Sequence, residues 1–389
     1  MHVSSTQVSR ADAAWRTRQS IVRESRRAFA EDDLLAVTVQ DIADRVGISR
    51  PGLLKHFASK EALLDAVAQE FDDETGQVMG SSPLTVEVAA RLSRSVDGYA
   101  ALSAILLSRA MTGGSDQAAS HSHHRRLLTD ESKPISDGVR TRVAVWEGLL
   151  VISRYLPELN PPGLFARDTA SGDGGGSVPA LRPRPLAIDT VLTERSGYEP
   201  GHRRRARIVA DATTVFAENG FGATTMREIS ERVNVAPSTL RHHFPSKTDL
   251  FAEVMRQRDN DMVTRRAGAV LDPTEELLAV GVEAARDAGA ESGLIGLYAV
   301  LSTEAVSLEH PVHGYFRERF VRTIAYFENL FARAASDQSL NLDARFEATR
   351  LIALWDGLQY QSILEIGFDS ASDLPRILNA HVAEVLQHQ

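Results

Sequence analysis

The chain repeats itself. Residues 21–64 align with 208–251 at a constant offset of 187 and without a gap. Sixteen of the 44 aligned pairs are identical, among them Ile21/Ile208, Phe29/Phe216, Thr38/Thr225, Ile42/Ile229, Arg45/Arg232, Leu53/Leu240, His56/His243, Phe57/Phe244, Ser59/Ser246 and Lys60/Lys247. Two random chains of average composition would share roughly 6%. Later echoes carry the repeat through each half: Tyr99-Ala-Ala-Leu-Ser103 against Tyr298-Ala-Val-Leu-Ser302, and Ala144-Val-Trp146-Glu-Gly148-Leu149 against Ala353-Leu-Trp355-Asp-Gly357-Leu358. So long a period means a duplicated domain pair, since solenoid units run about 20–50 residues.

The spacing inside each copy is helical. Ile21, Val22, Ala28 and Phe29 fall on one helical face, as do Ile208, Val209, Ala212, Val215 and Phe216. Thr38-Val-Gln-Asp41 and Thr225-Met-Arg-Glu228 have the form of capping boxes, in which a hydroxyl and a carboxylate satisfy two orphan N–H groups reciprocally. Each opens a short helix that ends at Gly47 or Asn234, residues that tolerate the left-handed conformation of a sharp turn. A second short helix follows, anchored by Leu53 and Phe57 or by Leu240 and Phe244. Then Ser59-Lys60 and Ser246-Lys247 start a longer one.

Helix, short helix, tight turn and short helix is the helix-turn-helix plan, whose second short helix enters the major groove of DNA. In the first copy that helix carries Ser49, Arg50, Pro51, Gly52, Lys55 and His56, and in the second Pro237, Ser238, Thr239, Arg241, His242 and His243. Basic and hydroxylated side chains of this kind suit phosphates and base edges. Together with Thr38, Gln40, Lys60, Thr225, Arg227 and Lys247, they form the candidate DNA-binding set. Two readings stand for His56 and His243, which precede a buried Phe: a packing and capping role, or contact with DNA. The Arg203-Arg-Arg205 run with Arg207 reads equally as a minor-groove arm or as a solubilising tether.

Net charge is −9, yet residues 16–67 sum to +1 and 203–258 to +4, so the remainder carries −14. Two neutral-to-basic segments in an acidic frame permit contact with a polyanion without demanding it. There is no cysteine, which excludes disulfides, a thiolate nucleophile and Cys-based metal sites. No nucleophile elbow, zincin helix or paired-carboxylate setting supports an enzyme. A metal reading of His121, His123, His124, His310 and His313 lacks carboxylates at ligand spacing, and no cofactor is indicated. With neither a secretory signal nor a membrane-length apolar run, the chain is expected to be soluble and cytoplasmic.

The run Ile42-Ala-Asp-Arg-Val-Gly-Ile-Ser-Arg-Pro-Gly-Leu-Leu-Lys-His-Phe57 with Ser59-Lys60-Glu61 resembles the DNA-binding domain of TetR-family transcriptional regulators. So does Ile229-Ser-Glu-Arg-Val-Asn-Val-Ala-Pro-Ser-Thr-Leu-Arg-His-His-Phe244 with Ser246-Lys247. The resemblance implies an all-α fold, with a DNA-binding head of three helices and a helical body that holds a small ligand. It also implies a four-helix interface between two bodies. Members usually carry one head per chain and pair as homodimers, so this chain resembles a covalent pseudo-dimer; association of two such chains stays open. Two positions depart from the family pattern: its phosphate-touching Tyr is Leu54 here in one copy and Arg241 in the other, and Pro51-Gly52 replaces its Gly-Thr.

The expected organisation is head one at 15–66, body one at 67–158, a flexible Gly/Pro/Ser-rich linker at 159–199, head two at 200–258 and body two at 259–387. Segments around 139–156 and 343–366 are expected to pack as the interface. The implied function is ligand-responsive repression through a double-stranded operator with two unlike half-sites. The alternative is a ligand-sensing or partner-docking protein with inactive heads. Trp146, Phe316, Phe320, Phe327, Trp355 and Tyr360 read either as core and interface or as lining for a small apolar or aromatic effector, held in the second body.

Overall fold

Helical periodicity and capped turns produce an all-helical chain. The computed structural model describes residues 5–31, 37–80, 82–112, 124–129, 136–169, 199–267, 272–290, 292–364 and 368–387, and every regular element among them is a helix. The first unit comprises α1 (Ser5–Glu31), α2 (Val39–Val46), α3 (Arg50–Leu54), α4 (Lys60–Met79), α5 (Val86–Ser95), α6 (Tyr99–Thr112), α7 (Asp137–Tyr155) and α8 (Pro161–Thr169). The second comprises α9 (Glu199–Ala223), α10 (Met226–Arg232), α11 (Pro237–His243), α12 (Lys247–Ala267), α13 (Pro273–Ala290), α14 (Ser292–Glu304), α15 (His313–Gln338), α16 (Ala344–Leu364) and α17 (Asp373–Gln387). The heads are α1–α3 and α9–α11, and α4 and α12 lead from each head into its body.

The two units share one core. Helix α7 packs along α16, and α6 packs on α14, so two helices from each unit meet in a four-helix seam. The expected pair of C-terminal segments forms its centre. The outer pair is α6 and α14, the helices that carry the Tyr99 and Tyr298 echoes. Helix α17 lies outside the seam, on α13 and α16.

The seam's centre is a reciprocal contact of small residues. A Cβ on Gly148 would sit 2.7 Å from the Ala353 Cα, and one on Gly357 would sit 2.6 Å from the Ala144 Cα. Ala144 and Gly148 face Ala353 and Gly357 across a pseudo-two-fold axis, and the backbones touch where no side chain intervenes. Further along, the Tyr155 hydroxyl donates to the Ser302 carbonyl at 2.6 Å. Its ring lies 4.9 Å from that of His313 and also packs on Phe316 and Phe320.

One expectation is corrected. Pro161-Pro-Gly163 reads as the start of a linker, but residues 161–169 form α8, which packs on α5 and α7. Proline is tolerated in a first helical turn, and Leu164 and Phe165 supply an apolar pair that buries beside Trp146. Arg167 then bonds Asp343 of the second unit at 2.9 Å. Residues 170–198 lie outside the described residues.

Each leading helix is tied into its body by an aspartate at the repeat offset, Asp72 buried and Asp259 half-buried. On α12, Asp259 accepts from Arg319 of α15 at 3.0 Å; Arg319 donates to the Tyr298 hydroxyl at 2.9 Å, and that hydroxyl donates to Asp356 of α16 at 2.9 Å. On α4, Asp72 bonds His124 at 2.8 Å, while Arg125 pairs with Glu147 of α7 at 3.2 Å. In both units a carboxylate on the head's leading helix meets a nitrogen-bearing side chain of the body, His124 or Arg319. Burial pushes Asp356 up to about 6, against the opposing pull of Arg319 and the Tyr298 hydrogen bond.

Two measurements test this packing. Gly148→Val should force α7 from α16 and lower stability to urea by at least about 3 kcal/mol, the upper end for overpacking, because the obstruction is backbone. The raised Asp356 carboxyl binds a proton in the folded state at pH values where the unfolded chain has lost it. Its contribution is therefore full below about pH 4 and lost as pH rises through about 6. Urea midpoints across that window should fall more steeply for the wild type than for Asp356→Asn; parallel curves would remove the assignment.

Candidate nucleic-acid interface

Both heads are built by the same local rules. Thr38 Oγ1 accepts from the Asp41 amide at 3.2 Å and Asp41 accepts from the Thr38 amide at 2.7 Å. The Thr38 hydroxyl and amide together hold the Asp41 carboxyl below its ordinary value. Thr225 and Glu228 repeat the box at 3.2 and 3.4 Å. The hydroxyls of Thr38 and Thr225 are thus engaged in capping. On the exposed faces of these first short helices, Gln40 donates to Asp44 and Arg227 to Glu231, each one turn ahead.

The turn comes out as its residue types require: Gly47 has φ 76° and Asn234 φ 56°. Ser49 then caps α3 by accepting from the Gly52 amide at 3.2 Å, whereas α11 starts at Pro237 without a side-chain cap. Leu53 and Phe57, and Leu240 and Phe244, are buried and fix each recognition helix by its inner face. Arg50, Pro51, Leu54 and Lys55 are exposed in head one, as are Pro237, Ser238, Arg241 and His242 in head two. Gly52, His56, Thr239 and His243 are half-buried. Burial, with His242 and Arg205 nearby, keeps His243 below the ordinary histidine value, so it does not serve as a cation at neutral pH.

The structure gives Arg205, read above as part of an arm or a tether, an inward role that it shares with Arg18 of head one. Arg18 donates to the His56 carbonyl at 2.9 Å and lies 4.1 Å from the Phe57 ring centroid; Arg205 donates to the His243 carbonyl at 2.9 Å, 4.2 Å from the Phe244 centroid. Each arginine clamps the end of the recognition helix to the first helix of its head. The signal was an Arg18/Arg205 identity three residues before the aligned window. Lys247 also turns inward, donating to the carbonyls of Phe221 and Thr224 at 2.7 and 2.8 Å, and burial lowers its pKa.

The aromatic candidates lie in the interior. Phe316, Phe320, Phe327 and Tyr360 are buried; Phe316 and Phe320 embrace Tyr155 at the seam, and the Tyr360 hydroxyl meets Ser302 at 3.3 Å. Trp146 and Trp355 each border a small cavity. The first, about 10 Å³, is lined by Tyr99, Ser103, Leu107, His124, Trp146 and Glu147. The second, about 20 Å³, is lined by Arg258, Asp259, Tyr298, Arg319, Trp355 and Asp356. Each has room for roughly one water. Of the histidines weighed as ligands, His124 bonds Asp72 and His313 bonds the Ala305 carbonyl, while His121 and His123 lie outside the described residues. No helix among the described residues is long and apolar enough to cross a membrane.

The model of bacterial regulatory proteins of the tetR family matches residues 21–67 and 208–254. The HTH-type transcriptional repressor KstR of Mycobacterium tuberculosis is 34% identical over 80 residues, 20% of this chain and 36% of that protein. The HTH-type transcriptional activator FasR of Mycolicibacterium smegmatis is 31% identical over 92 residues, 23% of this chain and 42% of that protein. The HTH-type transcriptional regulator UidR of Escherichia coli is 36% identical over 61 residues, 16% and 31% of the two chains. The chain therefore spans less than half the length of these curated relatives. The solved structure of Salmonella enterica GusR aligns over 48% of this chain and 98% of its own, with 22% identity and a TM-score of 0.38. The matching family is one of transcriptional regulators, not of enzymes. The tetR-family model thus matches twice in tandem, once in each of the repeated halves.

Proposed function

We propose that this protein is a DNA-binding regulator of transcription, a ligand-responsive repressor that reads one operator with two unlike half-sites. The observation that carries the reading is the pair of tetR-family heads joined through a single seam. Their recognition helices expose different residues, Arg50 and Lys55 in one and Arg241 and His242 in the other, so each head demands its own base sequence. Half-sites about 34–36 Å apart would let both helices enter successive major-groove turns. Repression is adopted because the KstR relatives are repressors by name.

A small neutral effector with an apolar or aromatic body would act from a unit's interior. The first unit's cavity suits it better than the second's, contrary to the expectation that the second body holds it: apolar Leu107, Leu128, Leu150 and Val151 surround Tyr99, Ser103 and Trp146, whereas charged groups dominate the second. Because the cavity has room for only about one water, a guest must part the helices around it. That displacement would strain the His124–Asp72 bond, which ties the cavity to α4, and tilt head one off its groove.

The purified chain, offered genomic fragments at physiological salt, should enrich a site whose footprint has two unlike halves. Arg50→Ala should erase protection of one half and Arg241→Ala of the other, each weakening binding by roughly tenfold or more, as expected for loss of about 1–3 kcal/mol per base contact. The double variant should not bind. Unaltered binding by that variant would remove the assignment of the recognition helices.

A further inference from the structure

The two heads share a frame but differ in charge at one place. In head two, the N-terminal turns of α9 and the turn between α10 and α11 border an open cleft of about 460 Å³. Arg203, Arg204 and Arg207 line one side, with Asn234, Ala236 and Thr239 on the other. Arg203 and Arg204 are exposed, and Arg207 stands 3.7 Å from Asp211 with its side chain 73% exposed. The inward clamp of Arg205 sets the rotation of this helical turn: it holds the His243 carbonyl and the Phe244 ring and pairs with Glu253 at 3.0 Å. At 3.6 residues per turn, positions two before and two after Arg205 lie on the opposite face, so Arg203 and Arg207 point outward together.

The place of the cleft indicates what fills it. Ala236 and Thr239 belong to the N-terminal end of the recognition helix, the end that reaches base edges when such a helix docks. The phosphates that wall the groove then pass beside it, and guanidinium groups match phosphate geometry. In head one the clamp is kept as Arg18, but the positions of Arg203, Arg204 and Arg207 are Arg16, Thr17 and Ser20. Two of the three cations are gone from an otherwise matching frame.

We infer that Arg203, Arg204 and Arg207 form a phosphodiester-binding cleft particular to head two, which makes that head the electrostatic anchor of the complex with DNA. Head one then contributes chiefly base discrimination. This rests on the DNA-binding reading above and goes beyond it by dividing labour between the heads.

The test is the salt dependence of binding to the selected operator, measured with the full chain by fluorescence anisotropy between 50 and 200 mM KCl. Each lost phosphate contact removes about 0.9 from the log–log slope. Arg203→Ala/Arg204→Ala/Arg207→Ala should flatten it by about 2 to 3, whereas Arg16→Ala should flatten it by no more than about 1. The triple lysine variant, which keeps the charge, should retain most of the slope, and unchanged urea midpoints should show that the exposed substitutions leave the fold intact. Inorganic phosphate and chloride at equal ionic strength should weaken binding alike.

A triple alanine variant that binds with the wild-type slope overturns the assignment. So does an Arg16→Ala variant that loses as much, and so does selective displacement by inorganic phosphate, which would mark a site for the free anion. A wild-type chain that enriches no fragment overturns the DNA reading itself, and the cleft with it.

Discussion

Everything in this molecule hangs on a place where side chains are missing. Gly148 and Gly357 let α7 and α16 meet backbone to backbone, each against the alanine four residues before the other's glycine. Close approach of this kind leaves almost no freedom in crossing point or angle, because interiors pack to crystal-like density. The seam therefore fixes how the two bodies sit. Through the Asp72 and Asp259 contacts it also constrains α4 and α12, and so the heads. Tyr155, thrust into the second unit among His313, Phe316 and Phe320, adds a directional bond to that geometry.

The heads were legible in the sequence because their determinants are local. A hydroxyl three residues before a carboxylate, a residue tolerant of positive φ, and a Leu and Phe at helical spacing each act within a few residues, and the repeat supplied every signal twice. The bodies were legible only as helices. Which aromatic residues face the seam depends on contacts between residues more than a hundred positions apart, so Phe316, Phe320 and Tyr360 read as well for pocket as for interface. The small-residue contact was visible as the Ala144–Gly148 and Ala353–Gly357 echo, but a matched motif does not disclose that its copies touch. Segment 161–169 misled because proline and glycine usually mark loops, while Leu164 and Phe165 had a gap beside Trp146 to fill. Arg18 and Arg205 looked like surface charge because a carbonyl and an aromatic face leave no charge pattern in a sequence.

Fusion of the units changes what substitutions can do. In a homodimer one codon sets both recognition helices, so any change is felt at both half-sites. Here Leu54 and Arg241, or Ser20 and Arg207, occupy equivalent positions with different chemistry. What the two heads still share is the scaffold: the threonine caps, the positive-φ turn and the clamping arginine. The outward-facing positions of the recognition helices are among those that diverged.

The matched glycines have one more consequence. Because each side of the seam presents the same Ala-x-x-x-Gly edge, the small-residue contact taken alone would also fit α7 against its own copy in another chain. A contact of that kind is isologous in form and by itself carries no preference for the partner on its own chain. The preference comes from Tyr155 and Arg167, which reach residues of the second unit, and from connectivity, since a covalent tether presents the second unit to the first at an effective concentration on the order of millimolar. Cutting the chain between the units would convert a self-contained clamp into an equilibrium among three pairings, two of them symmetric, each presenting a different combination of heads to DNA.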